Sequence, residues 1–410
     1  MSDGRVSSDT STDGTRTLSA MPEPRASGRI KVQPEDFVVE EIPAYAPSGA
    51  GEHVFVRFTK TDRTTLDAVR TIARALECDP REAGFAGMKD KRAVTTQTLS
   101  LHAPRGVAPA TLTERARALT PEGIVVHDAA PHGHKMKPGH LAGNRFSILV
   151  RDVPRDRVDV ATKALERTSR EGVPNAFGAQ RFGRGGDNVA RALAWLRGDE
   201  RGPRDPRVQR LLWSSVQSAA YNAVLDARVH DGTWNTPLEG DLLKLRASGG
   251  LFLCAAVQAD RERADTGDVS PTGPIVGAKM RWPEGTPAEL ERRIVGEILG
   301  PAFELDRTRR LGEGSRRALR VWVEDLRWQV DPRCVRTAPA AAASHLQRNC
   351  GYSERELCKT TSDDIDHGHG TASILVCFVL PKGAYATTVL GAAFELGDAH
   401  EVESTPEDPE

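Results

Sequence analysis

The chain has 410 residues, enough for two domains with well-filled cores. Hydrophobic residues make up 39%, and no uninterrupted apolar run reaches membrane-spanning length, which argues against a membrane protein and for a soluble one. The formal net charge of −1 conceals an uneven distribution: Glu395–Glu410 carries seven acids and no Lys or Arg, and without it the net charge is +6.

The N-terminal stretch, residues 1–28, is rich in Ser, Thr, Gly and Asp and lacks an apolar signal core, so it reads as a disordered tail. Ile30–Val32 and Phe37–Glu41 read as short strands, followed by a loop rich in Pro, Ser and Gly. His53–Phe58 alternates as a strand. Thr64 is placed to N-cap a helix whose third residue is Asp67 and whose apolar face is Ala68, Val69, Ile72, Ala73 and Leu76. Thr96–His102 and Arg145–Arg151 read as further strands. Strands mixed with helices, without regular βαβ alternation, predict an α+β fold.

A composition shift at Gly198–Arg210, rich in Arg, Asp and Pro, suggests a boundary near residue 201. Beyond it, Leu211–Val229 has helical spacing, Pro271-Thr-Gly-Pro274 reads as a turn, and Pro287–Leu299 as a helix. Ser373–Leu380 reads as a strand. Six scattered cysteines form no secreted disulfide framework and fit reduced thiols in the cytoplasm.

Positive charge is grouped in two places. Pro131–Arg151 holds Lys135, Lys137, Arg145 and Arg151, three histidines (His132, His134, His140) and no acid. Gln180–Arg210 holds eight arginines against four acids. Either run alone is ordinary solvated surface, but together, around an aromatic motif, they favour an RNA partner.

The most specific stretch is Gly84-Phe-Ala-Gly-Met-Lys-Asp-Lys-Arg-Ala-Val-Thr-Thr-Gln97. A single carboxylate, Asp90, stands among Lys89, Lys91 and Arg92 in a Gly-punctuated turn. A turn aspartate commonly caps its own backbone. One anion among cations suits attack on a sugar carbon better than metal binding, which draws on several clustered ligands.

The words around Asp90 resemble those of the TruD-type pseudouridine synthases. Gly87-Met-Lys89-Asp90-Lys-Arg-Ala93-Val-Thr95-Thr-Gln97 is similar to the family's G-x-K-D-x-x-A-x-T-x-Q signature, and Pro34-Glu-Asp-Phe37-Val-Val39-Glu-Glu41 to its P-E-D-F-x-V-x-E element. Gly51-Glu-His53 and Thr64-Thr65 follow the family order. Gly172-Val-Pro174-Asn175-Ala-Phe177-Gly178-Ala-Gln180-Arg181-Phe182-Gly183 resembles its G-x-P-N-x-F-G-x-Q-R-F-G block, and Leu380-Pro-Lys-Gly383-Ala-Tyr385-Ala-Thr387 its late L-P-x-G-x-[FY]-A-T. Two departures stand out. Gly391-Ala-Ala replaces an Arg-Glu pair, and residues 333–372 replace a shorter connection.

The resemblance implies a catalytic pseudouridine-synthase domain with a mixed or antiparallel central sheet, residues 29–200 and 323–394. A family-specific α/β domain, residues 201–322, would interrupt it, and an acidic tail, 395–410, would follow. It implies isomerisation of uridine to pseudouridine in RNA, at uridine 13 of tRNA, with base flipping and without a cofactor. Asp90 would be the catalytic carboxylate, attacking C1′ or removing the C2′ proton. Phe177 would stack on the uracil, Asn175 would orient the base or its loop, and Phe37, Tyr385 and Lys89 would contact the substrate. Lys135, Lys137, Arg145, Gln180 and Arg181 are candidate RNA contacts. No membrane or protein partner is implied, and the chain reads as a cytoplasmic monomer.

Two other readings compete. A non-catalytic RNA-binding or RNA-folding protein on the same scaffold would make the intact Lys89-Asp90 pair superfluous. A metal-dependent hydrolase would need Cys350, Cys358, His367 and His369. Their spacing is none of the tight zinc patterns, so the segment reads as a surface insertion without metal.

Overall fold

The computed structural model describes residues 25–183, 186–300, 303–331 and 370–398, and of Ala179, Gln180 and Asp398 the backbone alone. Cys350, Cys358, His367 and His369 lie outside the described residues. Chain contacts divide the protein into two compact units, one built from Pro24–Arg170 with Val323–Glu410, the other containing Glu171–Trp322.

In the first unit the chain runs through β1 (Ala26–Ile30), β2 (Phe37–Pro43), β3 (His53–Thr61), α1 (Thr65–Ala75), β4 (Gly84–Phe85), β5 (Val94–His102), α2 (Pro109–Arg117), β6 (Ile124–His132), β7 (Leu141–Pro154) and α3 (Val158–Glu171). The second unit contributes β8 (Val173–Pro174), α4 (Asn188–Arg197), α5 (Pro206–His230), β9 (Leu242–Leu245), β10 (Leu251–Leu253), α6 (Val257–Asp265), β11 (Val269–Ile275), α7 (Gly285–Leu299), β12 (Ser315–Ala318) and β13 (Arg320–Val321). The first unit resumes with β14 (Glu324–Val330), β15 (Thr371–Pro381), α8 (Ala386–Leu390) and β16 (Phe394–Asp398).

Ten strands of the first unit form one mixed sheet, whose main path is β14-β15-β7-β2-β5-β3-β6. β2 runs parallel to β5 and β1 parallel to β16, while the other pairings are antiparallel. The α+β reading and the mixed sheet are therefore observed. The alternation of β3 sends Val54, Val56 and Phe58 into a core shared with Leu99 and Leu101 of β5 and with Ala68, Val69, Ile72 and Ala73 of α1. Thr64 caps α1, its side chain accepting from the Asp67 N–H at 3.1 Å, a bond that stabilises a helix by about 1 kcal/mol.

The second unit has a four-stranded sheet, β10-β9-β11-β12, and a short β13-β8 pair. Its core gathers Trp213, Val216, Tyr221 and Leu225 of α5 with Ala176, Phe177, Phe182, Val189 and Ala192. Those last five explain why the division falls at Glu171 and not near residue 201. Ala176, Phe177, Phe182 and helix α4 pack with α5, and the Arg-rich stretch that follows α4 is only the connection between α4 and α5. Pro271-Thr-Gly-Pro274 is not a turn but buried strand β11. The proline nitrogens donate nothing, yet the Pro271 carbonyl still accepts from Leu319 N–H at 2.8 Å, and Thr272–Ile275 pair with β12.

Candidate active site

The turn between β4 and β5 is held close to the sheet. Gly84 lies so near the chain at Met136 that a Cβ there would meet the Met136 carbonyl oxygen at 2.2 Å, which only glycine avoids. Further along, Lys89 N–H donates to Thr65 Oγ1 at 2.9 Å, and the Thr65 hydroxyl donates to Gln97 Oε1 at 3.2 Å. Arg92 Nη2 donates to the Val32 carbonyl at 2.5 Å. The turn is thus tied to the start of α1, to β5 and to the β1–β2 connection.

Asp90 projects outward from this frame, its side chain 46% exposed. One carboxylate oxygen, Oδ1, lies 3.1 Å from Lys31 Nζ, and the same ammonium sits 4.5 Å from the centre of the Phe37 ring. Its main-chain carbonyl accepts from Lys60 Nζ at 2.6 Å. Lys60 is fully buried, and burial pushes its ammonium down to about 8 despite the attraction of Asp90.

Lys89 does not face outward. Its ammonium is buried against Glu41 Oε2 at 2.9 Å, and Glu41 Oε1 accepts from Thr98 N–H. The expected phosphate or substrate contact of Lys89 is replaced by an internal ion pair. Phe37 is likewise a core residue, 3% exposed and edge-on to Phe146 with centroids 6.3 Å apart. Tyr385, just before α8, is 42% exposed and remains available to a ligand.

The basic segment 131–151 splits by environment. Arg151 forks onto both carboxylate oxygens of buried Asp36 at 2.7–3.0 Å, so its charge is spent inside the unit. Lys137 is exposed, Lys135 partly so, and Arg145 is half exposed with Glu40 and Asp325 almost 4 Å away. The histidines form an aromatic cluster around Tyr45, with His132 stacked on its ring at 5.3 Å and His140 Nδ1 2.7 Å from its hydroxyl. His132 Nδ1 accepts from Ser48 N–H, which leaves its Nε2–H to face His134 Nε2 at 3.1 Å. Burial and the neighbouring His134 push the His132 imidazolium below its ordinary range. Among the described residues no group of three or more His, Cys, Asp or Glu side chains is arranged to hold a metal ion, and no helix is long and apolar enough to cross a membrane.

Within the second unit, Asn175 and Phe177 follow β8 but do not share a strand face, because β8 ends at Pro174 and residues 175–178 are irregular. The Asn175 amide donates to the Ala318 carbonyl and accepts from Arg317 Nη2. Both backbone groups of Phe177 bond the Asn222 amide at 2.9 Å. The Phe177 ring is 8% exposed, edge-on to Tyr221 at 5.3 Å, with the Arg317 guanidinium 4.2 Å above its centre and that of Arg181 at 5.6 Å. Arg181 Nε also donates to Ser218. The Gln180 side chain lies outside the described residues.

Sequence reasoning missed Lys31, Lys60 and Arg317. Lys60 did leave a signal, since it occupies the fourth place in the inward row Val54, Val56, Phe58, Lys60. Nothing local marked Lys31 as the partner of Asp90, 59 positions away.

The chain as a whole is similar to known proteins of one family. A family model described as tRNA pseudouridine synthase D (TruD) matches residues 16–199 and 204–392. An Anaeromyxobacter sp. protein named tRNA pseudouridine synthase D is 38% identical over 379 residues, covering 91% of this chain and 94% of its own length. A Geobacter metallireducens protein of the same name is also 38% identical, with 90% and 95% covered. A solved Methanosarcina mazei structure assigned to the same enzyme superposes with a TM-score of 0.69 at 21% identity, over 91% of this chain and 94% of that one.

Proposed function

The chain belongs to the TruD family of pseudouridine synthases, and on that premise we propose that it isomerises uridine to pseudouridine in tRNA, at position 13, with Asp90 as the acting carboxylate. The observation that carries this reading is the half-exposed Asp90 carboxylate on a turn otherwise fastened by Lys60, Thr65 and Arg92. A carboxylate that must meet ribose has to be accessible, and one that must meet it at a defined atom has to sit on a fixed backbone.

In the proposed reaction the N1–C1′ bond breaks and its electron pair leaves on the uracil. Asp90 either bonds C1′, giving an ester, or takes the C2′ proton, giving a glycal. The uracil turns and C5 bonds C1′, displacing the Asp90 carboxylate from the ester or, on the glycal route, as Asp90 returns the proton to C2′. C5 then gives up its proton, and N1, now free of the sugar, takes one up. Lys31, 3.1 Å from the carboxylate, balances its charge before the sugar arrives. The exposed Tyr385 ring offers a stacking face for an unstacked base. Phe177 and Asn175, which belong to the other unit, are assigned to the substrate by the family motif alone. Exposed Lys137 and half-exposed Arg145 supply phosphate contacts.

The test is base-resolution mapping of pseudouridine in unmodified tRNA transcripts incubated with the purified chain. A new pseudouridine at position 13 supports the reading. Modification of tRNA elsewhere overturns the position, and no pseudouridine at all overturns the reaction.

A further inference from the structure

Strand β3 places a lysine where its own pattern calls for an apolar side chain. Val54, Val56 and Phe58 point into the core, and Lys60, next in that row, is equally buried. Opposite it in the sheet stand Thr95 of β5 and Ile124 of β6. An ammonium withdrawn from water is costly unless its hydrogen bonds are replaced. The replacement here is the main-chain carbonyl of Asp90 at 2.6 Å.

We propose that Lys60 is a positioning residue for the reaction, a strut that runs from the inner face of the sheet to the Asp90 carbonyl and sets where the Asp90 carboxylate meets the ribose. This rests on the function proposed above. The carboxylate is paired from outside by Lys31, and the backbone that bears it is held from inside by Lys60. The other ties of the turn act at its flanks, through Lys89 N–H, the Lys89–Glu41 ion pair and the Arg92 side chain, so Lys60 alone reaches Asp90's own peptide group among the hydrogen bonds described. The strut does not depend on charge, because a neutral amine still donates an N–H to the carbonyl. Burial, which pushes Lys60 down to about 8, therefore leaves it intact in either protonation state.

Turnover of full-length Lys60→Met and Lys60→Ala on tRNA transcripts tests the assignment, with folding of each variant checked by circular dichroism. Displacement of a reacting group by about an ångström lowers kcat by about a hundredfold, so both variants should lose that much while KM for tRNA stays within about twofold of wild type. In Lys60→Ala, ethylamine or propylamine should restore kcat saturably, whereas tetramethylammonium, which has no N–H, should not. Wild-type kcat in the folded variants, a change confined to KM, a loss that no primary amine restores, or failure of both variants to fold would each overturn the role. The two readings fail separately: a wild-type chain that forms no pseudouridine defeats the reaction, whereas an active wild type with unaffected variants defeats only the strut.

Discussion

Lys31 Nζ lies 3.1 Å from Asp90 Oδ1, joining the connection before the Pro34–Phe37 element to the turn that carries the carboxylate. Lys31 adopts φ +57°, the left-handed region that a non-glycine residue enters at some cost. The pair is partly exposed, with Asp90 nearly half open to solvent, so it contributes little to folding. Lys31→Met should shift unfolding free energy by less than about 1 kcal/mol while lowering turnover by about tenfold, the loss of roughly 1.4 kcal/mol of stabilisation. Denaturant unfolding and single-turnover kinetics on the same preparation check both halves. A strongly destabilised variant would make Lys31 a structural residue.

The Lys89–Glu41 pair should behave in the opposite way, because both side chains are almost completely buried. Removing one partner leaves the other charge uncompensated, so Lys89→Met and Glu41→Gln should each cost about 3–5 kcal/mol. Replacing both together with apolar residues should cost less than the sum. Equilibrium unfolding of the two single variants and the double variant measures the coupling, and additive losses would show that the pair is not acting as a unit.

Phe177 packs in the core of its unit beneath Arg317. Phe177→Ala should therefore destabilise the protein by about 3–5 kcal/mol through the cavity it leaves, whereas Phe177→Leu should cost less. If thermal unfolding of Phe177→Ala matched wild type, the ring would be a binding surface alone.

The local features of this fold were legible because they depend on near neighbours. The Thr64 cap, the apolar face of α1 and the alternation of β3 are each written within a few residues. The Lys60–Asp90, Lys31–Asp90 and Arg151–Asp36 contacts join residues 30, 59 and 115 positions apart, and no periodicity encodes them. The Pro271–Pro274 strand was misread because proline usually ends a ladder, and here the strand contributes its carbonyls. The boundary near residue 201 was misread because composition marks exposed connections as readily as domain limits. The turn around Asp90 was marked by its motif, but sequence alone does not show which way a turn sends each side chain, and here Lys89 points inward to Glu41 while Asp90 points outward.

The histidine cluster gives a pH dependence with a definite sign. Burial holds the His132 imidazolium below its ordinary range in the folded chain, and the unfolded chain binds that proton more readily. Stability from this group is therefore present above the unfolded value of about 6.5 and is lost as pH falls through and below it. Denaturant unfolding from pH 8 to pH 5 should show wild type losing more stability on acidification than His132→Gln. Parallel curves would remove His132 from the effect.

The most direct test of the central claim is pseudouridine formation by Asp90→Asn, which keeps the size of the side chain and removes the anion. The carboxylate is on the exposed side of its turn, and the main-chain carbonyl still accepts from Lys60, so the variant should fold and bind tRNA like wild type. Mapping should then find no pseudouridine at a position that wild type modifies fully. Turnover by folded Asp90→Asn approaching that of wild type would contradict the account.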